Sequence, residues 1–452
     1  MPDEPSAPAP LPGAVNWALV VYNLLLLALF PVLILYALWR VVLRGKARGG
    51  WRDRLGFPRV PSTQATRIWV HTVSVGEVAG GLPVLEAIRA ALPHASIVLS
   101  TTTPTGQRMA RTRCAELADA VFYFPFDLLP CAALALRAVR PHLVVLLEGE
   151  LWPNFLALCR ARRIPVCVVN GRVSDAGFRR ARPWRWLYRR FVPQVAWFAM
   201  QSDRDAERIL SWGADPARVA VLGNTKFDQD LRRLDDDERA ALGRDLGVAD
   251  GDLLLVAGST HPGEEEPVLA AFQAVRARHP RARLLIAPRD IKRAEAIAAL
   301  VRRAGFSCAR RTVGPDPSAD VILLDTIGEL ARAYALGAVT FVGGSLAPIG
   351  GHDVLQAAAQ GQPTFFGPHM HNFRDIAEIV TRAGVGFTIH DADELAEGML
   401  RFIEAPAARG RVADLAGRVI RANQGASRRS ASAALALLRG DLPDAEGDGR
   451  EE

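Results

Sequence analysis

The stretch HTVSVGEV, residues 71–78, decides the fold of this chain, because it joins a short apolar run to an alanine-rich one. Residues 68–70 (IWV) have the character of a buried strand, and residues 78–91 that of the helix that follows. Junctions of this kind form the edge at which α/β sheets bind ligands. Gly76 permits close approach to Glu77, whose carboxylate can take a proton from a substrate hydroxyl. A carboxylate there also complements the helix dipole, so the octapeptide alone supports both roles.

Short apolar runs alternate with helix-length segments along the rest of the chain. The predicted strands are residues 68–70, 96–100, 143–147, 165–169, 197–200 and 219–222, then 253–257, 283–287, 321–324, 339–342 and 363–366. This alternation predicts parallel βαβ units in two successive sheets. We therefore expect an α/β protein with two doubly wound, Rossmann-like domains that face each other across a cleft. The sequence contains no P-loop and no GxGxxG after its first strand, which argues against a dinucleotide oxidoreductase.

Composition bounds the partners of the chain. Its 452 residues are half apolar, enough for two or three domains with sizeable cores. A net charge of +7 and a pI of about 9.5 suggest an anionic partner such as a nucleic acid, a phospholipid surface or a phosphorylated substrate. The five cysteines form no close pair and no metal-ligand spacing, which fits a reducing compartment.

The N-terminal region predicts a membrane anchor. No charged residue lies between Glu4 and Arg40, and residues 14–39 are almost wholly apolar. As a helix they would be about 39 Å long, against a hydrocarbon core of about 30 Å. The basic residues that follow place the body in the cytoplasm by the positive-inside rule. They are Arg40, Arg44, Lys46, Arg48, Arg52 and Arg54. A buried hairpin or an interfacial helix is the alternative.

The predicted order of segments follows from these boundaries. It is a tail (1–13), a transmembrane anchor (14–39), a basic juxtamembrane segment (40–66), a first domain (67–228), a linker (229–250), a second domain (251–438) and a disordered polar tail (439–452).

Polar residues cluster just after the predicted strands. In the first domain, the hydroxyls and amides of STTTPTG (100–106) could bind an oxyanion or a sugar hydroxyl, or only cap a helix. The paired carboxylates of EGELWPNF (148–155) could orient sugar hydroxyls or shift each other's pKa, or be structural. In the second domain the polar stretches are GSTHPGEEE (258–266), APR (287–289), DTIGEL (325–330), GGS (343–345) and IGGHD (349–353), which together favour a nucleotide-binding edge with backbone amides on phosphate. His71, His261 and His352 are too dispersed in the sequence to argue for a metal.

Residues 178–191, FRRARPWRWLYRRF, carry six arginines among five aromatic residues. Such a stretch can hold phosphates while its rings lie at a membrane surface, and with an anchor upstream we expect phospholipid headgroups or a phosphorylated lipid rather than nucleic acid. A solvated amphipathic helix is the alternative.

Taken in order, these stretches resemble the 3-deoxy-D-manno-octulosonic acid (Kdo) transferase family specific for lipid A. The resemblance rests on HTVSVGEV, STTTPTG, EGELWPNF, NGRVS (170–174), GNTKFD (223–228), GSTHPGEEE, DTIGEL, FVGGSLAPIGGH (341–352) and GPHMHNF (367–373). It implies a GT-B glycosyltransferase fold and an inverting transfer from CMP-Kdo to the lipid A precursor, lipid IVA, in lipopolysaccharide biosynthesis. It also implies a reaction without a metal or other cofactor, in an enzyme at the bacterial inner membrane with its body on the cytoplasmic face.

The resemblance also implies roles for individual residues, with Glu77 as the general base. The implied donor-binding residues are Ser259, Thr260, Pro288, Arg289, Ile327, Gly328, Glu329, Leu330, Asp353 and Gln356, and the implied acceptor-binding residues are Ser74, Gly76, Thr102, Arg172 and Lys226. The chain departs from the family at GGHDVLQ (350–356), where the family has GGHN-x-LE, and at RDIKR (289–293), where a histidine of RHPER is lost. Both departures concern donor handling.

Three other functions fit parts of the sequence. One is a membrane-associated GT-B transferase that uses a UDP-sugar on a polyprenyl lipid. Another is a non-catalytic nucleotide-sensing scaffold, in which Glu77 is only a helix-end charge. The third is a GT-B-like sugar epimerase, which the predicted anchor disfavours.

Overall fold

The computed structural model describes residues 17–42, 50–249 and 251–443, with side chains in the first range only as far as residue 29. Contacts between residues divide the chain into two compact units, one from residues 1–229 and 425–452 and the other from residues 230–424. Each unit contains one seven-stranded sheet. The pairing is parallel throughout both sheets.

The strands in chain order are β1 Arg67–His71, β2 Ser96–Thr101, β3 Ala120–Tyr123, β4 Leu143–Leu147, β5 Val166–Gly171, β6 Trp197–Met200, β7 Val219–Val221, β8 Leu253–Thr260, β9 Ala282–Pro288, β10 Cys308–Arg310, β11 Val321–Leu323, β12 Val339–Val342, β13 Thr364–Phe366 and β14 Gly386–Thr388. The helices are α1 Trp17–Val42, α2 Trp51–Arg54, α3 Val75–Ala91, α4 Pro104–Arg113, α5 Leu129–Val139, α6 Pro153–Ala161, α7 Asp175–Ala181, α8 Arg185–Phe191, α9 Asp203–Ser211, α10 Asp236–Leu246, α11 Glu265–Arg278, α12 Ala294–Arg303, α13 Leu330–Ala333, α14 Leu355–Ala359, α15 Arg374–Arg382, α16 Ala392–Ile403, α17 Pro406–Asn423 and α18 Ala426–Arg439.

The first sheet has the strand order β3-β2-β1-β4-β5-β6-β7. Its central strand β1 pairs with β2 on one side and β4 on the other, so that Val70 lies opposite both Leu99 and Val145. Alternate residues of β1 enter separate cores on the two faces of the sheet, Trp69 in one and Ile68 with Val70 in the other. Burial on both faces explains why β1 reads as a continuous apolar run.

The second sheet repeats this plan with the order β10-β11-β9-β8-β12-β13-β14. In both sheets the strand order reverses at a central pair, β1 with β4 in the first and β8 with β12 in the second. Ligands of doubly wound sheets bind beyond the carboxyl ends of such pairs. The predicted fold class, two doubly wound parallel α/β domains, is confirmed.

Every strand predicted from the sequence is present, with ends that differ by at most a few residues. Three strands were missed, namely β3, β10 and β14, and each lies at an edge of its sheet. They are only three or four residues long and incompletely buried. A short strand that packs on fewer neighbours needs no continuous apolar run, so hydrophobic patterning does not reveal it.

The C-terminal helix α18 belongs to the first unit, whereas the sequence-based division placed residues up to 438 in the second domain. Its Ala431, Ala434 and Leu435 pack in the same core as Ile68 and Val70. The backbone N–H groups of Gly425 and Ser427 both donate to the Asp228 carboxylate at 2.6 Å. The chain therefore crosses back to its first unit after α17. The alanine-rich sequence of α18 predicts a helix but not which sheet it covers.

Helix α1 lies where the apolar N-terminal segment was predicted, and its first turns pack on the first unit. Ala18 is fully buried in the core that contains Trp69. The Tyr22 hydroxyl donates to Asp127 at 2.9 Å, and the amides of Asn23 and Asn154 exchange two hydrogen bonds of 2.7 and 3.0 Å. Residues 14–16 of the predicted anchor lie outside the described residues. Among the described residues, none of the helices has the length and apolar character that a membrane crossing requires.

Candidate active site

A cavity of about 490 Å³ opens beside the carboxyl ends of β4 and β5 in the first unit. Its lining combines three carboxylates, one guanidinium group and a set of aromatic and apolar side chains. The charged members are Glu77, Glu148, Glu150 and Arg172, and the others include Trp152, Tyr188, Phe198, Met200 and Trp212. A cavity lined by both charged groups and aromatic side chains suits a substrate that has polar and apolar parts.

Glu77 enters this cavity from the first turn of α3. Ser74 caps the helix with extended backbone geometry, and Glu77 is the third residue inside it. One oxygen of the carboxylate, Oε2, accepts from the Val73 N–H at 2.7 Å, while Oε1 has a 3.5 Å contact with the Ser74 hydroxyl. Glu77 thus accepts a hydrogen bond at the helix end through Oε2, while Oε1 has only a long contact with a hydroxyl group. Both roles that the octapeptide supports are compatible with this geometry.

The surroundings of Glu77 raise the pKa of its carboxyl to about 8. Burial is the largest cause, followed by the negative charge of Glu148 and then, after the opposing Val73 hydrogen bond, that of Glu150. Burial also raises the pKa of Glu150. A carboxyl group with a pKa close to the operating pH is suited to general acid–base catalysis, and clusters of such groups mark functional sites.

Glu148 is held in place by its backbone and by an ion pair. It has a positive φ of 60°, and the next residue, Gly149, has a φ of 113°. Non-glycine residues rarely adopt this conformation, and they concentrate at functional sites. The Lys226 ammonium lies 3.6 Å from Glu148 Oε1, and both side chains are largely buried. The Lys226 stem passes Gly80 of α3, where a Cβ atom would lie 3.6 Å from it.

The structure brings some of the predicted acceptor-binding residues together and not others. Arg172 lines the cavity with Glu77. Ser74 and Gly76 belong to the start of α3, and the Thr102 N–H donates to the Val73 carbonyl at 3.3 Å. These three residues and Lys226 are outside the cavity lining. The pairing of Lys226 with Glu148, which are 78 positions apart in the sequence, was not anticipated.

In the second unit, the reversal pair β8 and β12 ends at two of the polar turns found in the sequence. Between them lies the fully buried carboxylate of Glu264. It accepts from the backbone N–H groups of His261, Gly344, Ser345, Leu346 and Ala347 at 2.6–3.3 Å. The glycine-rich turn after β12 is therefore tied to the turn after β8 by one carboxylate. These five amides therefore donate to Glu264, whereas the amides of the other predicted turns, residues 287–289, 325–330 and 349–353, do not, and phosphate binding at this edge stays a prediction.

The predicted donor-binding residues occupy the ends of four strands or the turns that follow them. Ser259 has a positive φ of 56°, and Thr260 is fully buried. Pro288 and Arg289 lie at the end of β9, where the Arg289 N–H donates to the Thr260 carbonyl at 3.0 Å. The Asp353 carboxylate accepts from the N–H of Leu355, the first residue of α14, at 3.0 Å, and Gln356 lies within that helix.

The turn after β11 carries the rest of the predicted donor set. Ile327 is 84% exposed, and Gly328 has a φ of 98°. Glu329, which precedes Leu330 at the start of α13, forms an ion pair with Arg311 at 3.0 Å and accepts from the Thr326 hydroxyl. These contacts lower the pKa of the Glu329 carboxyl, chiefly through the Arg311 hydrogen bond, so it is ionised at neutral pH. The sequence alone gave no sign that Arg311 is its partner.

His261 and His352 form a pair that sequence reasoning missed. Their Nε2 atoms are 2.9 Å apart and their rings are stacked, although the residues are 91 positions apart. Both rings border the space beside Gly344, which has a φ of 67°: a Cβ atom there would lie 2.9 Å from the His352 ring and 3.4 Å from the His261 ring. Burial, then Arg289, then His261 lower the pKa of His352 to about 4. In the described part of the chain, no group of three or more His, Cys, Asp or Glu side chains is arranged to hold a metal ion.

The fold matches solved structures of nucleotide-sugar enzymes. A UDP-N-acetylglucosamine 2-epimerase from Neisseria meningitidis superposes with a TM-score of 0.56 over 83% of this chain and 100% of that one, at 13% identity. The glycosyltransferase of kitacinnamycin does so with a TM-score of 0.51 over 85% and 100%, at 15% identity. At these identities the likeness shows the fold, that of the GT-B class.

The sequence comparisons define the family. The family model for 3-deoxy-D-manno-octulosonic-acid transferase matches residues 49–229. The 3-deoxy-D-manno-octulosonic acid transferase of Bordetella pertussis is 33% identical over 91% of this chain and 98% of its own length. That of Haemophilus influenzae is 30% identical over 90% and 96%. The chain belongs to the Kdo transferase family, which confirms the predicted family and the predicted class of enzyme, a glycosyltransferase.

Proposed function

We propose that this protein transfers Kdo from CMP-Kdo to the lipid A precursor, lipid IVA, in lipopolysaccharide biosynthesis. One observation carries the chemistry: Glu77 enters a cavity in the first unit with a carboxyl pKa raised to about 8. Family membership, over nearly the full length of two relatives, supports Kdo transfer over a UDP-sugar reaction or a non-catalytic scaffold.

In this reaction Glu77 is the general base on the acceptor hydroxyl. Its Oε1 atom, held only by a 3.5 Å contact with Ser74, is the oxygen free to accept the hydroxyl proton. Its Oε2 atom keeps the hydrogen bond from the Val73 N–H, which fixes the orientation of the carboxylate. Because the raised pKa makes the carboxylate a stronger base than an exposed glutamate, it can remove a proton near neutral pH. Such assistance typically contributes about 10²–10⁴-fold to the rate.

The acceptor is expected to use both the charged and the aromatic side chains of the cavity. Sugar hydroxyls can donate to Glu148 and Glu150, and Arg172 offers a guanidinium group to an acceptor phosphate. The aromatic wall offers apolar surface to the rest of the acceptor. The other proposed acceptor residues are Ser74, Gly76, Thr102 and Lys226. Lys226 acts through its ion pair with Glu148.

The donor is proposed to bind at the strand ends of the second unit. Exposed Ile327 provides apolar surface for the cytosine ring, while Glu329, fixed by Arg311, can still accept hydrogen bonds from ribose hydroxyls. Arg289 supplies positive charge for the phosphate. It is exposed, and among the described residues no carboxylate forms an ion pair with it. The proposed reaction needs no metal, because arginine side chains and polarised N–H groups can stabilise one departing phosphate.

We further propose that the protein works at the cytoplasmic face of the bacterial inner membrane. The outer side of α1 exposes Trp17, Val20, Leu24 and Leu27 to solvent. Trp186 of α8 stacks on Trp17 at 5.2 Å, which extends this apolar surface. Arg190 lies over the Trp17 ring at 5.7 Å. Aromatic rings beside arginines are typical of protein surfaces that meet anionic lipid headgroups.

Two assays test the proposed function. Incubation of the purified protein with CMP-Kdo and lipid IVA is expected to add the mass of Kdo to the acceptor, as measured by mass spectrometry. In a competition assay, CMP is expected to inhibit transfer more strongly than UDP. Stronger inhibition by UDP than by CMP would contradict the donor assignment. So would the absence of product from CMP-Kdo.

A further inference from the structure

The His261–His352 pair lies beyond the ends of β8 and β12, the strands at which the order of the second sheet reverses. The general-base step at Glu77 gives neither histidine a role. His261 follows β8 and His352 follows the glycine-rich turn after β12. With Nε2 atoms 2.9 Å apart, one of the two nitrogens carries the proton they share. A Cβ atom at Gly344 would lie 2.9 Å from the His352 ring and 3.4 Å from the His261 ring, so the pair lies beside the turn that follows β12.

The donor phosphate needs partners other than the backbone of that turn. Phosphates at such turns are commonly held by free backbone N–H groups. Here the N–H groups of residues 344–347 and of His261 all donate to the buried Glu264 carboxylate. The Glu264 carboxylate thus lies where such a turn would otherwise bind the anionic group of a ligand. Recognition of a phosphate beside this turn therefore falls to side chains.

The side chains available there are the two histidines and Arg289. Arg289 lies near enough to His352 for its charge to lower the pKa of that imidazole. Burial, then Arg289, then the neighbouring His261 lower the pKa of the His352 imidazole to about 4, so His352 is neutral at pH 7. The donor phosphate is a diester that carries one negative charge. That charge beside the rings favours the imidazolium form, so the pair takes up one proton from water when the donor binds.

Resting on the proposed function, we infer that the His261–His352 pair, together with Arg289, binds the donor phosphate and supplies the proton taken up by the departing nucleoside monophosphate. The bond between the sugar carbon and the phosphate oxygen breaks, and its electron pair goes to that oxygen, which receives the proton of the pair. The acceptor oxygen bonds to the sugar carbon as its own proton passes to Glu77. Exchange with water then resets both groups, so no co-reactant is required.

Isothermal titration calorimetry with CMP and cytidine tests this inference without turnover. At about pH 7.5 the phosphate of CMP is mostly a dianion. The unmodified protein is expected to bind CMP at least about tenfold more tightly than cytidine, given the usual strength of hydrogen bonds to charged groups. Titrations in two buffers of different ionisation enthalpy are expected to show proton uptake with CMP and none with cytidine.

The variants His261→Gln and His352→Gln are expected to lose most of the CMP preference and the proton uptake, while cytidine affinity stays unchanged. His390→Gln is the matched control, since His390 is an exposed histidine paired with Glu394 on α16. If a glutamine variant fails to fold, the asparagine variant at that position replaces it. Retention of both the CMP preference and the proton uptake in the two variants would overturn the inference.

Failure of the inference and failure of the proposed function give different results. If the unmodified protein binds CMP as expected but CMP-Kdo yields no product, the proposed function fails and the histidine assignment stands. A preference for UMP over CMP contradicts the donor, and the same comparison is then made with UMP and uridine. If the unmodified protein does not distinguish either nucleotide from its nucleoside, the histidine assignment is wrong.

Discussion

The Lys226 ammonium lies 3.6 Å from a carboxylate oxygen of Glu148, and Glu148 is the charged residue that most raises the pKa of Glu77. Lys226 therefore influences the proposed base through a second carboxylate. The ion pair with Lys226 fixes the position of the Glu148 carboxylate, whose negative charge acts on Glu77. The base strength of Glu77 thus depends on residues from three separate stretches, HTVSVGEV, EGELWPNF and GNTKFD.

Replacing Glu77 by glutamine is expected to lower the transfer rate by about 10²–10⁴-fold, because the amide cannot accept the acceptor proton. CMP binding should be unchanged. The measurement is Kdo incorporation into lipid IVA under matched conditions. Glu86→Gln, an exposed change on the same helix, is the control and should behave like the parent. Activity of Glu77→Gln within about tenfold of the parent would rule out the general-base role.

The pH dependence of kcat/KM should report the ionisation of Glu77. Only the ionised carboxylate accepts a proton, so kcat/KM is expected to rise with pH and level off above about 8. Glu148→Gln removes a negative charge that acts on Glu77, and this loss favours the ionised form of Glu77. The midpoint should therefore move to lower pH in this variant. An unchanged or raised midpoint would show that Glu148 does not set the pKa of Glu77.

Glu77 should also make stability depend on pH. Its pKa is raised in the folded protein, so the folded state binds the proton more tightly than the unfolded state. Its contribution is therefore fully present below the unfolded value of 4.5 and is lost as the pH rises through about 8. Urea unfolding is measured from about pH 5 to about pH 9. As the pH rises, the free energy of unfolding of Glu77→Gln should increase relative to that of the parent, by up to a few kcal/mol at about 1.4 kcal/mol per pKa unit.

The control for this experiment is Glu238→Gln. Hydrogen bonds from Arg232 and the Asp235 N–H lower the pKa of the Glu238 carboxyl to about 2. The contribution of Glu238 to stability is complete at a pH above the pKa of its carboxyl in the unfolded state. It is lost only as the pH falls towards 2. Any cost of this change should thus stay constant across the same pH range. A stability difference for Glu77→Gln that does not change with pH would contradict the raised pKa.

Glu264→Gln should destabilise the second unit. An amide in place of the carboxylate removes the charge and turns an NH₂ group towards backbone N–H groups that also need an acceptor. We expect a loss of about 2–4 kcal/mol in the free energy of unfolding, the scale of lost hydrogen bonds to a buried charged group. Glu266→Gln, at an exposed position two residues further along the chain, should change the free energy of unfolding little. Normal stability of Glu264→Gln with weakened CMP binding would instead make Glu264 a donor ligand.

Lipid binding should depend on the surface formed by α1 and α8. Arg190→Ala and Trp186→Ala are expected to weaken co-sedimentation with anionic vesicles, by about fivefold for Arg190 at about 1 kcal/mol per basic residue. Arg137→Ala, an exposed change on α5, is the control. Binding of the parent should weaken as salt is added, because the attraction is screened. Equal binding to neutral vesicles and to anionic vesicles would contradict the proposed surface.

Much of the fold followed from local patterns. The strands buried on both faces, such as β1, β4 and β6, read as unbroken apolar runs and were placed within a residue or so. The edge strands β3, β10 and β14 were missed because few neighbours bury them. The family resemblance also followed from the sequence, since its motifs lie in order along the chain and each requires only neighbouring residues.

The sequence by itself determined two parallel sheets, the glycine-rich turns at their strand ends and Glu77 as the proposed base. Only the tertiary structure decided which distant residues meet: Lys226 with Glu148, Arg311 with Glu329, and His261 with His352. It also decided that the Glu264 carboxylate fills the amides of two of the predicted turns, and that α18 returns to the first unit. Local order arises from hydrophobic periodicity and turn chemistry, which short stretches encode. Charge pairing and pKa depend on distances set when separate strands join one sheet, and no short stretch encodes them.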